Sequence, residues 1–205
     1  MRIAIDIDGC LANFNLGYLR LLKQLSGLDI KVDESTWPSE WNWAALLLPQ
    51  GITKYHEVEA WDLIESGDSE FWASLEPYDG VYTAATLYQQ LNAYHDVYFV
   101  TSRPGYRAKH QTEKWLSMHG FGPNPTVLIS HKKGFAAAGL ELDHLIDDKP
   151  ENLFDVRKIM GLSCKGWLVQ RPWNQGADTR FVFTTYGVAD ALTRILTPEE
   201  NKNVN

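Results

Sequence analysis

Short apolar runs recur along this chain and several end on residues able to do chemistry: Ile3–Asp6, Val97–Thr101, Val127–Ile129, His144–Ile146 and Trp167–Val169. Runs of this length, separated by amphipathic stretches, read as strand-helix-strand units feeding a parallel sheet. The intervening stretches carry helical spacing. Val81, Ala84, Ala85, Tyr88 and Leu91 precede one strand, Lys109 to Met118 precedes the next, and Leu16, Leu19, Leu22 and Leu25 form a stripe ending near Gly27. In open parallel sheets ligands sit at the carboxyl ends of strands, so the residues that close each run are the first to read for function.

The charge is unevenly placed. Of 26 acidic and 19 basic residues, 12 acidic and only 4 basic fall within 15–80, while the rest of the chain is nearly balanced. The same segment holds Trp37, Trp41, Trp43, Tyr55, Trp61, Phe71 and Trp72, with Pro38 and Pro49 interrupting its middle. It is expected to be a small cap of short helices, its rings mostly core and one or two facing a ligand. A net charge of −7 argues against broad affinity for nucleic-acid backbone or an anionic membrane. No apolar run reaches the roughly 18 residues that span a bilayer, and the start lacks a basic region followed by an apolar core. The expected location is cytoplasmic. Cys10 and Cys164 form no Cys-x-x-Cys and no Cys/His cluster, so buried thiols are expected in place of a disulfide framework or structural zinc. The polar tail 197–205 is expected to fray.

Asp6-Ile7-Asp8-Gly9 puts two carboxylates at the end of the first run. Alone, it could be an Asx-type turn with Gly9 at positive φ. A calcium loop is excluded, because Cys10, Leu11 and Gly17 stand where that loop needs an acidic or amide ligand, a glycine and a glutamate. The second run ends in Thr101-Ser102-Arg103-Pro104-Gly105, which offers hydroxyls, amides and a guanidinium to an anion and also suits a helix cap. Lys132-Lys133-Gly134 precedes a further helix, and His144-Leu145-Ile146 ends in Asp147-Asp148. Adjacent carboxylates at an interior strand end are costly unless a cation or a basic group compensates. Together these residues specify a hard cation, Mg²⁺ foremost, and a phosphate.

Asp6-Ile7-Asp8-Gly9-Cys10-Leu11, then Thr101, Lys133 and Asp147-Asp148, resemble in order the four motifs of the haloacid dehalogenase superfamily of phosphohydrolases. Within it the chain resembles the 5′(3′)-deoxyribonucleotidases and their bacterial and phage relatives over most of its length. Asp6 to Phe14, Phe71 to Gly80 with Leu75-Glu76-Pro77, and Leu145-Ile146-Asp147-Asp148-Lys149-Pro150 carry that likeness. The resemblance implies a doubly wound α/β core of residues 1–14 and 81–196, with the helical cap 15–80 inserted after the first motif.

It also implies the chemistry. Asp6 would be the nucleophile that forms an aspartyl-phosphate. Asp8 would be general acid for the leaving alcohol and then base for water, a division that agrees with a metal-held carboxylate staying ionised while its neighbour cycles a proton. Thr101, with Ser102 adjacent, would bind phosphoryl oxygens, and Lys133 would offset charge. Mg²⁺ would be held by Asp6, the Asp8 carbonyl and Asp148, with Asp147 acting through water. Dehalogenases of the superfamily lack the second aspartate, so Asp8 favours phosphoryl transfer.

Phe14 matches the family aromatic that stacks on the nucleobase, and Trp43 or Trp72 could form the opposite wall. Arg103 departs from the nucleotidase pattern, which usually has Pro after Thr-Ser, and is similar to the Ser-Gly-Arg of polynucleotide 3′-phosphatases. It could contact phosphate, support the site or be a solvated helix-start residue. The implied activity is Mg²⁺-dependent hydrolysis of a (deoxy)nucleoside monophosphate. The alternatives are a polynucleotide 3′-phosphatase, which the acidic cap opposes, another small-molecule phosphatase of the superfamily, and a non-catalytic phosphate or Mg²⁺ module. No membrane or extended nucleic-acid partner is expected, and the oligomeric state stays open, a homodimer included. Arg171-Pro172-Trp173-Asn174 resembles a string in bacterial relatives but carries no mechanistic account.

Overall fold

The computed structural model describes residues 1–31 and 43–197, so Trp37, Pro38, Trp41 and the tail from 198 lie outside the described residues. Six strands form one sheet: β1 (Arg2–Ile5), β2 (Asp96–Thr101), β3 (Thr126–Ile129), β4 (His144–Asp147), β5 (Lys165–Val169) and β6 (Phe183–Thr185). Their order is β3-β2-β1-β4-β5-β6, and each neighbouring pair is parallel. The chain winds outward from β1 in one direction and then, from β4, in the other. The switch point therefore lies between β1 and β4, where ligand crevices form in open sheets.

Because successive strand residues point to opposite faces, the sheet has two cores. Ile3, Ile5, Val97, Phe99, Ile146, Trp167 and Val169 face one side, where α5 (Val81–Asn92), α6 (Ala108–Met118) and α9 (Val188–Leu196) cover them. Ala4, Val100, Leu145 and Leu168 face the other, under α7 (Lys133–Leu140) and α8 (Pro150–Met160). The helices on both faces make the doubly wound α/β sheet. β6 is the strand the apolar runs did not announce, since Phe183-Thr184-Thr185 is short and mostly polar.

Between β1 and α5 the described chain is helical. α1 (Phe14–Ser26) starts on Asn13, whose side chain accepts from the Leu16 amide, and stops at Gly27 with φ 67°. α2 (Ala44–Leu47), a 3-10 turn at Leu48–Gln50 containing Pro49, α3 (Lys54–Ser66) and α4 (Phe71–Ser74) follow. Phe14, Tyr18, Ile64, Phe71 and Trp72 bury into the same core as the first sheet face. Cys10 and Cys164 are buried free thiols. Among the described residues no helix is long and apolar enough to cross a membrane.

Candidate active site

The three central strands bring the motif ends together. The Asp6 amide donates to the Ile146 carbonyl at 2.9 Å, which seats the end of β1 beside the end of β4, while Ile5 registers with Phe99 two residues before Thr101. The chain then turns sharply: the amides of Cys10, Leu11 and Ala12 all donate to the Ile7 carbonyl. Gly9 is required twice here. Its φ is 80°, and a Cβ on it would lie 2.3 Å from Asp148 Oδ2.

Asp6, Asp147, Asp148 and Lys133 are all buried, none more than 4% exposed. Lys133 Nζ lies 2.8 Å from Asp6 Oδ1 and 2.6 Å from Asp147 Oδ2. Asp147 is further saturated by the Lys149 amide at 2.8 Å and by Asn152 Nδ2 at 3.0 and 3.1 Å. Asp148 differs. Its Oδ2 accepts from Trp173 Nε1 at 2.7 Å, but its Oδ1 is buried with no hydrogen-bond partner.

Three buried carboxylates thus face one buried ammonium. Burial pushes Asp6 up to about 7 against the pull of Lys133, with Asp147 and Asp8 adding to the rise. Burial and then the charge of Asp147 push Asp148 up to about 8. Burial alone would lower Lys133, yet Asp147 and Asp6 outweigh it and hold the ammonium above its ordinary range. Uncompensated buried charge of this kind costs several kcal/mol or is neutralised, which makes the residues fit for a divalent cation. Ligand atoms of Asp6, Cys10 and Asp148 lie within 4.8 Å of one another. The two carboxylates suit a hard cation such as Mg²⁺; the thiol does not.

Asp8 meets other surroundings. Arg103 Nη2 and Nε donate to its two oxygens at 2.8 and 2.9 Å, a bidentate fork, and Thr101 Oγ1 approaches Oδ2 at 3.5 Å. Arg103 is itself fully buried, with Nη1 on Thr112 Oγ1 at 2.9 Å and its guanidinium carbon 4.9 Å from the Trp72 ring centroid. The Arg103 groups are therefore engaged by Asp8 and Thr112. Ser102 Oγ donates to the Ser130 carbonyl at 3.0 Å.

Of these groups Asp6, Asp8, Thr101, Ser102, Arg103 and Lys133 line one cleft, about 550 Å³ counting its mouth. Phe14, Trp61 and Trp72 form an aromatic wall in the same cleft. Phe14 stacks within 5.8 Å of Trp72 and 5.9 Å of Trp61 while remaining largely buried. Trp43 is buried in the apolar core and does not line the cleft. Sequence reasoning did not single out Trp61, Lys149 or Asn152 as cleft residues. Asn152 sits in the first turn of α8, just after the Asp147-Asp148 pair, and that nearness could have flagged it.

The sequence model of the family described as 5′ nucleotidase, deoxy (Pyrimidine), cytosolic type C protein matches residues 1–179. A search of curated proteins found no match. Among solved structures the chain is similar to a haloacid dehalogenase-like hydrolase of Streptococcus pneumoniae (TM-score 0.63, 12% identity, 95% of this chain and 97% of that one covered). It is also similar to a magnesium-bound HAD-type protein of Bacillus subtilis (0.60, 16%, 96% and 98%). A HAD family hydrolase of Deinococcus radiodurans with bound phosphate and sodium gives 0.58, 13%, 96% and 95%. At these identities the structural likenesses bear on the fold.

Proposed function

We infer the substrate and the division of labour from one premise: the chain belongs to the 5′ nucleotidase, deoxy (pyrimidine), cytosolic type C family and is a phosphoric monoester hydrolase of the haloacid dehalogenase superfamily. Its substrate is a (deoxy)nucleoside monophosphate, and residues 15–80 act as a cap over a core of 1–14 and 81–196. The observation that carries this reading is a cleft whose lining joins Asp6, Asp8 and Lys133 to Phe14, Trp61 and Trp72. A phosphate and a flat base at the two ends of one small molecule match that layout.

Ionised Asp6 attacks phosphorus, forming an aspartyl-phosphate as the ester P–O bond breaks. Asp8 gives its proton to the departing alkoxide, takes a proton from water in the second step, and the hydroxide so formed releases phosphate from Asp6. Arg103, gripping both Asp8 oxygens, fixes the direction in which that carboxyl points. The Thr101 hydroxyl and the Lys133 ammonium meet phosphoryl oxygens and hold the charge of the nucleophile in balance. Asp6 and Asp148, with the Asp8 carbonyl and Asp147 through water, would hold Mg²⁺, whose charge offsets the repulsion between carboxylate and phosphate. Asp147, already saturated by Lys133, Lys149 and Asn152, is the poorer direct ligand; Asp148, with Oδ1 unpartnered, is the better one.

Phosphate release should be screened, with Mg²⁺ and with EDTA, across nucleoside 5′- and 3′-monophosphates, sugar phosphates and end-phosphorylated oligonucleotides. Nucleoside monophosphates should lead, and EDTA should abolish their turnover. Oligonucleotide ends hydrolysed faster than any mononucleotide would overturn the substrate assignment.

A further inference from the structure

Arg171-Pro172-Trp173-Asn174 follows β5 after Gln170 and folds into a 3-10 turn at Pro172–Asn174. From there it reaches both loops of the site. Arg171 Nε donates to the Gly9 carbonyl at 2.6 Å and Nη2 to the Cys10 carbonyl at 3.4 Å, with the guanidinium 3.9 Å from the Tyr78 ring centroid. Asn174 Nδ2 donates to the Asp148 carbonyl at 2.7 Å and to the Val169 carbonyl at 2.8 Å, and its Oδ1 accepts from the Arg171 amide at 2.9 Å. Trp173 Nε1 completes the set on Asp148 Oδ2 at 2.7 Å. The string thus ties the turn after Asp6 to the carboxylate and backbone of Asp148.

We propose that Trp173 is a positioning residue for the cation, its indole N–H holding Asp148 Oδ2 so that the buried, unpartnered Oδ1 is presented beside Asp6. The inference rests on the Mg²⁺ reading above. The carboxylate torsion of an aspartate is broad and roughly two-fold, so backbone placement alone does not decide which oxygen faces Asp6. A single short N–H bond to Oδ2 decides it. Gly9, with no Cβ, lets the same carboxylate close onto the turn, and Arg171 keeps that turn from shifting away. Partners that orient a metal ligand typically cost about 10- to 100-fold in metal affinity when removed. Trp173 lies outside the cleft lining, so its loss should act on the cation before it acts on substrate.

The test titrates Mg²⁺ into wild type and Trp173→Phe and follows both the calorimetric affinity and the Mg²⁺-dependent rise in melting temperature. Trp173→Phe should bind Mg²⁺ about 10- to 100-fold more weakly, need correspondingly more Mg²⁺ to reach its full rise in melting temperature over its own value in EDTA, and recover most of its kcat at saturating Mg²⁺. Affinity equal to that of wild type overturns the inference, whatever happens to kcat. Should Trp173→Phe fail to fold, 3-benzothienylalanine at 173 removes the N–H while keeping the ring shape, and the same comparison decides. A wild type that binds no Mg²⁺ and turns over fully in EDTA removes the underlying reading instead, a result distinct from equal affinity in the two proteins.

Discussion

Asp6 and Asp8 stand two residues apart and meet opposite environments: Asp6 is buried against Lys133, while Asp8 has a 20% exposed side chain clasped by Arg103 in the lining of the cleft. Their substitutions should therefore fail differently. Asp6→Asn removes the nucleophile and should cost several orders of magnitude in turnover with the fold intact, because catalytic groups that act as a unit fail as a unit. Retention of a tenth of wild-type rate would assign the nucleophile elsewhere. Asp8→Asn should slow alkyl phosphates by about 10²–10⁴-fold, the usual worth of general acid catalysis, and aryl phosphates far less, since a good leaving group needs little protonation. Equal losses on a nucleotide and on p-nitrophenyl phosphate would rule Asp8 out as the acid. The acidic residues were legible because they cluster at or just after the ends of two apolar strands. The contacts of Arg171 and Trp173 were not, since their partners lie 162 and 25 residues away and leave no local pattern.

At the scale of elements, the aromatic wall is assembled by three separate helices: α1 supplies Phe14, α3 supplies Trp61 and α4 supplies Trp72. The sequence showed that rings crowd this segment but not which helix turns which ring to the cleft, because a helix position reads the same whether it faces core or ligand. Trp43 went to the core and Trp61 to the cleft for that reason. Strands were more legible, since burial on both faces leaves a continuous apolar run; β6, at the sheet edge, needs no such run. Phe14→Ala separates the two roles of its ring. Base stacking is worth about 1–3 kcal/mol, so kcat/KM on deoxyuridine monophosphate should fall roughly 5- to 150-fold while p-nitrophenyl phosphate barely changes. Paired kinetics with a thermal melt checks this: parallel losses with a large drop in melting temperature would make Phe14 a core ring alone, since such truncations cost about 3–5 kcal/mol.

For the molecule as a whole, the pH response of stability carries a signature from a residue at the opposite end of β4 from Asp147. His144 on β4 is buried, and its Nδ1 accepts from Trp167 Nε1 at 3.0 Å, a bond available only to the neutral ring. Burial first, then the charges of Lys165 and the N-terminus, lower His144 from 6.5 to about 4, with Asp143 opposing. The unfolded chain therefore binds a proton that the folded chain refuses between those values. Stability from this residue is fully present above pH 6.5 and is lost as pH falls toward 4. At about 1.4 kcal/mol per pH decade, the loss across the window amounts to roughly 3 kcal/mol at most. Asp6 and Asp148 act with the opposite sign, because their folded values are raised and protonation favours the folded state. The measurement must therefore be a difference, taken with Mg²⁺ present. Denaturation of wild type and of His144→Gln, whose amide oxygen can still accept from Trp167, should be compared from pH 7.5 to 4.5. Wild type should lose stability more steeply than the variant over that range. Parallel curves would mean that His144 takes up its proton over the same pH range in the folded as in the unfolded chain, so that the bond from Trp167 does not hold the ring neutral.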